Sequence, residues 1–155
     1  MGPQARLACK TRAGRVCAGQ NNDTKNAAHG MIAYLDTHVA SWLAHGSRRV
    51  GRDAARLIQK AELLVSPMVL VELEYLHEIG RLTLPGKDIL RKLEMEIGLR
   101  LCDLPFAEVA RSALDEKWTR DPFDRFIVAQ ARLNGLVALI SSDETIAGHY
   151  PRTVW

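Results

Sequence analysis

Short blocks of apolar residues alternate along this chain with longer stretches whose apolar positions recur at helical spacing. The blocks are Met31–Leu35, Leu63–Val65, Leu99–Cys102 and Leu136–Ile140, with a brief last one at Thr153–Trp155. Continuous apolar runs of this length, bounded by turn residues, predict buried strands. The stretches between them predict helices over residues 37–44, 52–61, 67–79, 88–97, 105–117 and 122–134. Their ends carry the expected punctuation. Ser66 and Asp121 each stand before a proline, giving an N-cap with proline at the first helical position. Gly80, Gly98 and the Asn134-Gly135 pair supply stops. Strands alternating with helices imply an α/β fold of three layers, α/β/α, around a mostly parallel central sheet.

The chain has 155 residues, 47% apolar and 25% charged, which suits one domain with a substantial core. Its longest apolar runs are five residues, far short of the roughly 18 needed to span a bilayer. Residues 1–30 read differently. They lack periodicity and hold five basic residues against one acid, leaving 16 basic and 17 acidic residues, or −1, for 31–155. They are expected to be a disordered or mis-assigned N-terminal extension, without the apolar stretch of a secretory signal. A basic arm touching nucleic acid is the sharper alternative. Cys9, Cys17 and Cys102 form no CxxC, and the five histidines show no i, i+4 pair, so neither a zinc site nor a disulfide framework is expected. A reducing cytoplasm fits this usage.

Four acidic residues stand where folding alone does not call for them. Asp36 follows the first predicted strand and Asp143 comes shortly after the fourth. In an open parallel sheet such positions face the ligand crevice, although an aspartate there also serves as a helix N-cap. Glu72 interrupts a helical stripe of Met68, Val69, Tyr75, Leu76 and Ile79. A structural ion pair with an arginine is its alternative, and Glu74 its backup on another face. Asp124 has Ile127, Val128 and Ala131 at i+3, i+4 and i+7. It is the stronger metal-site candidate of the Asp121/Asp124 pair, with Asp121 an N-cap and outer contributor. Carboxylates converging in this way require a positive partner, and a hard cation such as Mg²⁺ or Mn²⁺ prefers oxygen ligands.

Four motifs in order, Tyr34-Leu-Asp-Thr-His38, Val65-Ser-Pro-Met-Val-Leu-Val-Glu72, Arg120-Asp-Pro-Phe-Asp-Arg125 with its helical continuation, and Leu139-Ile-Ser-Ser-Asp143, resemble the PIN domain. The likeness is specifically to the VapC-like toxins of bacterial toxin–antitoxin pairs. It spans residues 31–155. The resemblance implies a PIN-like fold and a Mg²⁺- or Mn²⁺-dependent ribonuclease. Asp36, Glu72, Asp124 and Asp143 would be both its catalytic and its metal-binding residues. Thr37 matches the family's hydroxyl beside the first aspartate. Ser141 stands where threonine is common, leaving a hydroxyl for an outer role beside Asp121. Lys117, Arg120 and Arg125 border the motif residues and are candidates to hold the RNA backbone, the alternative being surface charge. The resemblance further implies an RNA substrate, a cognate antitoxin protein and a homodimer. The helix at 52–61 and the loop at 81–86 are expected to frame the antitoxin's groove.

Two other classes fit less well. A phosphate-handling Mg²⁺ protein of the phosphatase kind wants an acid two residues after Asp36, where His38 stands, and a receiver wants adjacent acids at the first strand. A catalytically inactive PIN scaffold is the third reading, and an intact acidic quartet argues against it.

Overall fold

The strands Ile32–Leu35 (β1), Glu62–Val65 (β2), Arg100–Leu101 (β3), Ala138–Ile140 (β4) and Thr153–Val154 (β5) form one sheet in the order β3-β2-β1-β4-β5. They belong to a computed structural model that describes residues 30–155. The expected extension therefore lies, but for Gly30, outside the described residues. Every neighbouring pair is parallel, so the sheet is wholly parallel rather than mostly so. Between the strands run α1 (Thr37–Ala44), α2 (Arg52–Ile58), α3 (Pro67–Glu78), α4 (Gly86–Ile97), α5 (Phe106–Ala113), α6 (Pro122–Leu133) and α7 (Glu144–His149). Strand order steps one way from β1 to β3, then reverses to β4 and β5. Right-handed crossovers consequently place α1–α4 on one face and α5–α7 on the other.

The core forms where both helical layers meet the sheet. Tyr34, Leu35, Leu63, Leu139 and Ile140 from the strands are buried together with Val69, Ile89, Leu93, Ile127 and Val128 from the helices. Its polar groups are paired. The Tyr34 hydroxyl donates to Cys102 Sγ at 2.8 Å and accepts from Asn134 Nδ2 at 3.1 Å. Among the described residues no buried side-chain nitrogen or oxygen lacks a partner.

Several elements differ from expectation, α2 ending at Ile58 and α4 opening at Gly86 among them. The third strand keeps only Arg100–Leu101, because it lies at the sheet edge and pairs on one side alone. The helix expected over 105–117 ends at Ala113, and the chain turns through Ala113 O and Asp115 O before Trp118. The fourth strand begins at Ala138, since Gly135 (φ 89°) and Leu136 (φ 55°) take left-handed turn conformations first. A short helix, α7, follows Asp143; no helix is expected there from the sequence beyond the capping alternative for that aspartate.

Gly86 opens α4 where it crosses α3, and its N–H donates to Glu74 Oε2 at 2.7 Å. Glu74 is thus a tie between two helices. A Cβ at position 86 would stand 2.8 Å from Leu70 O and 2.9 Å from Glu74 N, both backbone atoms that cannot swing aside. Gly86→Ala should therefore force the helices apart at a cost of about 1–3 kcal/mol, lowering the melting temperature by roughly 4–12 °C. An unchanged thermal melt would show that this crossing has slack.

Candidate active site

Asp36 and Ser141 are the first residues beyond the carboxyl ends of β1 and β4, which are hydrogen-bonded neighbours. The register sets Leu35 opposite Ile140, and Asp36 N donates to Ile140 O at 3.0 Å. This is also where the strand order reverses, so the two strand ends splay around a crevice. Asp36 is buried at 3% exposure. Its Oδ1 accepts from Thr37 N at 2.7 Å and its Oδ2 from the Ser141 hydroxyl at 2.8 Å. Ser141 Oγ in turn accepts from Asp143 N at 3.1 Å. Asp143 caps α7 with Oδ1, taking the N–H groups of Thr145 (2.7 Å) and Ile146 (3.0 Å). Capping and site membership are compatible for both aspartates, because each carboxylate oxygen has two lone pairs.

Glu72 reaches the same crevice from α3, its Oε2 accepting from Thr37 Oγ1 at 2.5 Å. The reason differs from the one read in the sequence. The buried line of α3 is Val69 and Leu73, while Val71, Tyr75 and Ile79 stand about half exposed. Glu72 therefore lies on the border of the buried face, next to the crevice rather than inside an apolar stripe. Asp124, in the first turn of α6, is half-buried, with Oδ2 3.4 Å from Thr119 Oγ1. Asp121 is exposed and caps α6 by accepting from Phe123 N at 2.8 Å.

The three basic candidates separate. Arg125 is half-buried and spends its Nε on Thr119 O at 2.8 Å, which fixes the loop before α6. Lys117 and Arg120 are exposed on that loop and form no ion pair among the described residues. Sequence reasoning missed the frame behind them. Buried Glu116 accepts from Arg132 Nε and from Trp118 Nε1, each at 2.6 Å, and Trp118 stacks on His149 at 4.9 Å. That network anchors the segment bearing Thr119. Thr119 was missed too; a lone hydroxyl between Trp118 and Arg120 gives no spacing signal. The sequence assigns His38 no part in the site's electrostatics, yet it opposes the upward shifts of both Asp36 and Glu72.

The electrostatics are those of crowded, partly dehydrated carboxylates. Burial raises the Asp36 carboxyl above its usual range and Asp143 adds repulsion, while the Ser141 hydrogen bond and His38 pull the other way. Burial raises Glu72 as well, with Asp36 and Asp121 repelling it and the Thr37 hydrogen bond opposing. Asp124 is pushed up to about 7, first by burial, then by Asp121, Asp36, Asp143 and Glu72. None of Asp36, Glu72, Asp124 or Asp143 pairs with a lysine or arginine among the described residues. The arginine partner weighed for Glu72 is thus not there. An all-oxygen, carboxylate-rich donor set without a cationic side chain fits a hard divalent cation. As they stand, no three acidic, histidine or cysteine side chains among the described residues are close enough to enclose one. Binding would require rotamer changes, and the weakly held Asp124 is the freest to make one.

Comparison with known proteins bears on family and fold. A family model described as the PIN domain matches residues 33–149. Ribonuclease VapC22 of Mycobacterium tuberculosis is 33% identical over 128 residues, covering 78% of this chain and 96% of that protein. A toxin–antitoxin complex from Klebsiella pneumoniae is similar with a TM-score of 0.54 at 18% identity, covering 79% of this chain and 96% of its own. VapBC2 from Rickettsia felis, bound to a promoter DNA fragment, gives 0.52 at 16%, covering 80% and 96%. At such identities the structural likeness is one of fold.

A pH dependence follows from the carboxyl shifts. Asp124 titrates at 3.8 in its ordinary state and at about 7 here, so between those values the folded protein holds a proton that the unfolded chain has released. Stability contributed by this group is full below about pH 4, falls as pH rises and is lost above about 7; Asp36 and Glu72 act with the same sign. In EDTA the protein should melt at a lower temperature at pH 8 than at pH 5.5. Asp124→Asn should recover about 1–2 kcal/mol at pH 8, a discounted figure because solvent reaches this carboxyl. A melting temperature that rises from pH 5.5 to 8 in EDTA would contradict the electrostatic account.

Proposed function

The chain belongs to the PIN domain family, and we propose that it is a Mg²⁺- or Mn²⁺-dependent ribonuclease, the toxin of a toxin–antitoxin pair. The observation that carries this reading is the hydrogen-bonded web at the strand-order reversal. Ser141 links Asp36 to Asp143, and Thr37 links Asp36 to Glu72. Asp36, Glu72, Asp124 and Asp143 would hold the cation. When bound, such an ion supplies an acidified water and neutralises charge on phosphoryl oxygens.

The chain's own residues would do the rest. Hydrolysis forms a bond from water oxygen to phosphorus, breaks a phosphorus–oxygen ester bond and returns a proton to the leaving alcohol. Asp36 is fixed at both oxygens, so its geometry is set before substrate arrives. Thr37 fixes Glu72 through Oε2. Lys117 and Arg120 offer mobile charges to the RNA backbone, and Arg125 offers what its guanidinium has left after binding Thr119 O.

The proposed antitoxin contact lies on α3. An open cleft of about 610 Å³ there is bordered by Val71, Tyr75 and Phe123 with Glu74 and Glu78. Apolar walls beside carboxylates suit a segment carrying both apolar and basic side chains. We propose that α3 and the start of α6 contribute to the groove alongside the helix at 52–61 and the loop at 81–86. We also propose a homodimer, for which Met95, Phe106 and Leu114, each more than half exposed, offer apolar contacts. No helix among the described residues is long and apolar enough to cross a membrane, and the site of action proposed is the cytoplasm.

The purified chain should cleave RNA when Mn²⁺ is added. Asp36→Asn should reduce the rate on the order of 100-fold or more with an unchanged circular-dichroism spectrum. Expression alone should arrest growth, and co-expression of the adjacent small reading frame should relieve it. Full cleavage by Asp36→Asn, or harmless expression of the wild-type chain, would overturn the reading.

A further inference from the structure

An aromatic and cationic surface begins beside the acidic site and runs along α1. His38, two residues after Asp36, is exposed on the first turn of that helix. Trp42 is one turn further on the same face, its ring 6.1 Å from His38 and inclined by 46°. Trp155 meets Trp42 at 5.6 Å and 59°. Arg49 holds its guanidinium 6.0 Å from the centre of the Trp42 ring. From Asp36 to Trp42 the helix advances only ~9 Å, at about 1.5 Å per residue.

This cluster is built rather than incidental. Gly51, before α2, lies so close to residue 155 that an added Cβ would be 2.5 Å from the Trp155 carbonyl carbon. Only glycine lets that backbone approach and bring Trp155 onto Trp42. The rings are tilted rather than stacked, so each keeps part of a face uncovered, and Trp155 retains 39% exposure. The same loop concentrates cationic charge. Arg48, Arg49 and Arg52 are exposed within five residues with no acid among them, in a region, 31–155, whose net charge is −1.

We propose that this surface is the track on which single-stranded RNA lies as it enters the acidic site. The inference rests on the ribonuclease reading and extends it to a substrate-binding surface. Trp42 and Trp155 would take unstacked bases on their open faces, and Arg48, Arg49 and Arg52 would take phosphates. A polyanion cannot approach an acidic cluster without compensating charge nearby, and Arg49 supplies it against the Trp42 ring. Exposed arginines beside aromatic faces favour nucleic acid over an apolar protein partner. Bases paired inside a duplex would not present their faces to the rings, so single strands are preferred.

The test measures binding separately from cleavage. A Glu72→Gln form of the full chain is titrated with a fluorescein-labelled single-stranded 12-mer of uridine and with an RNA duplex of equal length, at several salt concentrations. The single strand should quench tryptophan fluorescence and bind more tightly than the duplex. Replacing Arg48, Arg49 and Arg52 by alanine together should weaken binding about 10-fold or more and reduce the salt slope by about 2. Trp42→Leu should weaken it about 5- to 150-fold. If Trp42→Leu fails to fold, the triple arginine variant, altered only at exposed side chains, decides alone. Unchanged affinity and slope in that variant would overturn the track. So would equal affinity for duplex, or loss of a co-purified protein's binding while RNA affinity stands. If Asp36→Asn abolishes cleavage while the triple variant cuts and binds like wild type, the track fails alone. If the wild-type chain cuts no RNA with Mn²⁺ present, the ribonuclease reading fails instead.

Discussion

A carboxylate buried to 3% exposure at the end of β1, with no lysine or arginine among the described residues to offset it, is the constraint around which this molecule is arranged. Isolated burial of such a charge would cost several kcal/mol or drive it to take up a proton. The fold answers with directed hydrogen bonds: a backbone N–H from α1 on one oxygen and the Ser141 hydroxyl on the other. These hold Asp36 in place and work against the upward pull of burial on its carboxyl. Because the strand order reverses beside it, Asp143, Glu72 and Asp124 are brought within repulsive reach of the same point. The site therefore carries a stored affinity for positive charge, which is the property metal-assisted phosphodiester hydrolysis needs.

Rigidity is distributed unevenly around that charge. Asp36, Glu72 and Asp143 are tied by bonds of 3.1 Å or less through Thr37, Ser141 and the α7 N-terminus. Among the described residues Asp124 has only a 3.4 Å contact with Thr119. Yet the segment carrying Thr119 is anchored from behind by the Glu116–Arg132 pair and by Trp118 stacked on His149. A buried ion pair of this kind adds little net stability but makes the loss of either partner costly, since it strands the other. The scaffold thus fixes the frame around Asp124, whose carboxylate is the least tied of the four.

The sequence showed the architecture because its apolar blocks are short and its helix ends are strongly marked. Ser66-Pro67, Asp121-Pro122, Gly98 and Asn134-Gly135 stand at or within a residue of real boundaries. It overestimated β3, where edge pairing and not hydropathy sets the length, and β4, where Leu136 looks like strand but turns left-handed. The acidic residues were legible because each broke a local pattern. The stripe drawn around Glu72 was off by part of a turn, however, since Tyr75 and Ile79 are apolar yet face outward. Hydropathy alone cannot distinguish a core-facing apolar residue from one kept for a partner. Thr119, Glu116 and the His38–Trp42–Trp155 cluster escaped notice because their meaning lies in contacts between distant segments, 38 to 155 being the extreme case.

The most direct test of the central claim is to locate the cation. Crystals of the full chain soaked in Mn²⁺ and measured at the manganese absorption edge would show where the ion binds. The account predicts an anomalous peak in the crevice between β1 and β4, coordinated by Asp36 and by at least two of Glu72, Asp124 and Asp143. A peak held by other residues, or saturating Mn²⁺ with no peak in that crevice, would contradict it.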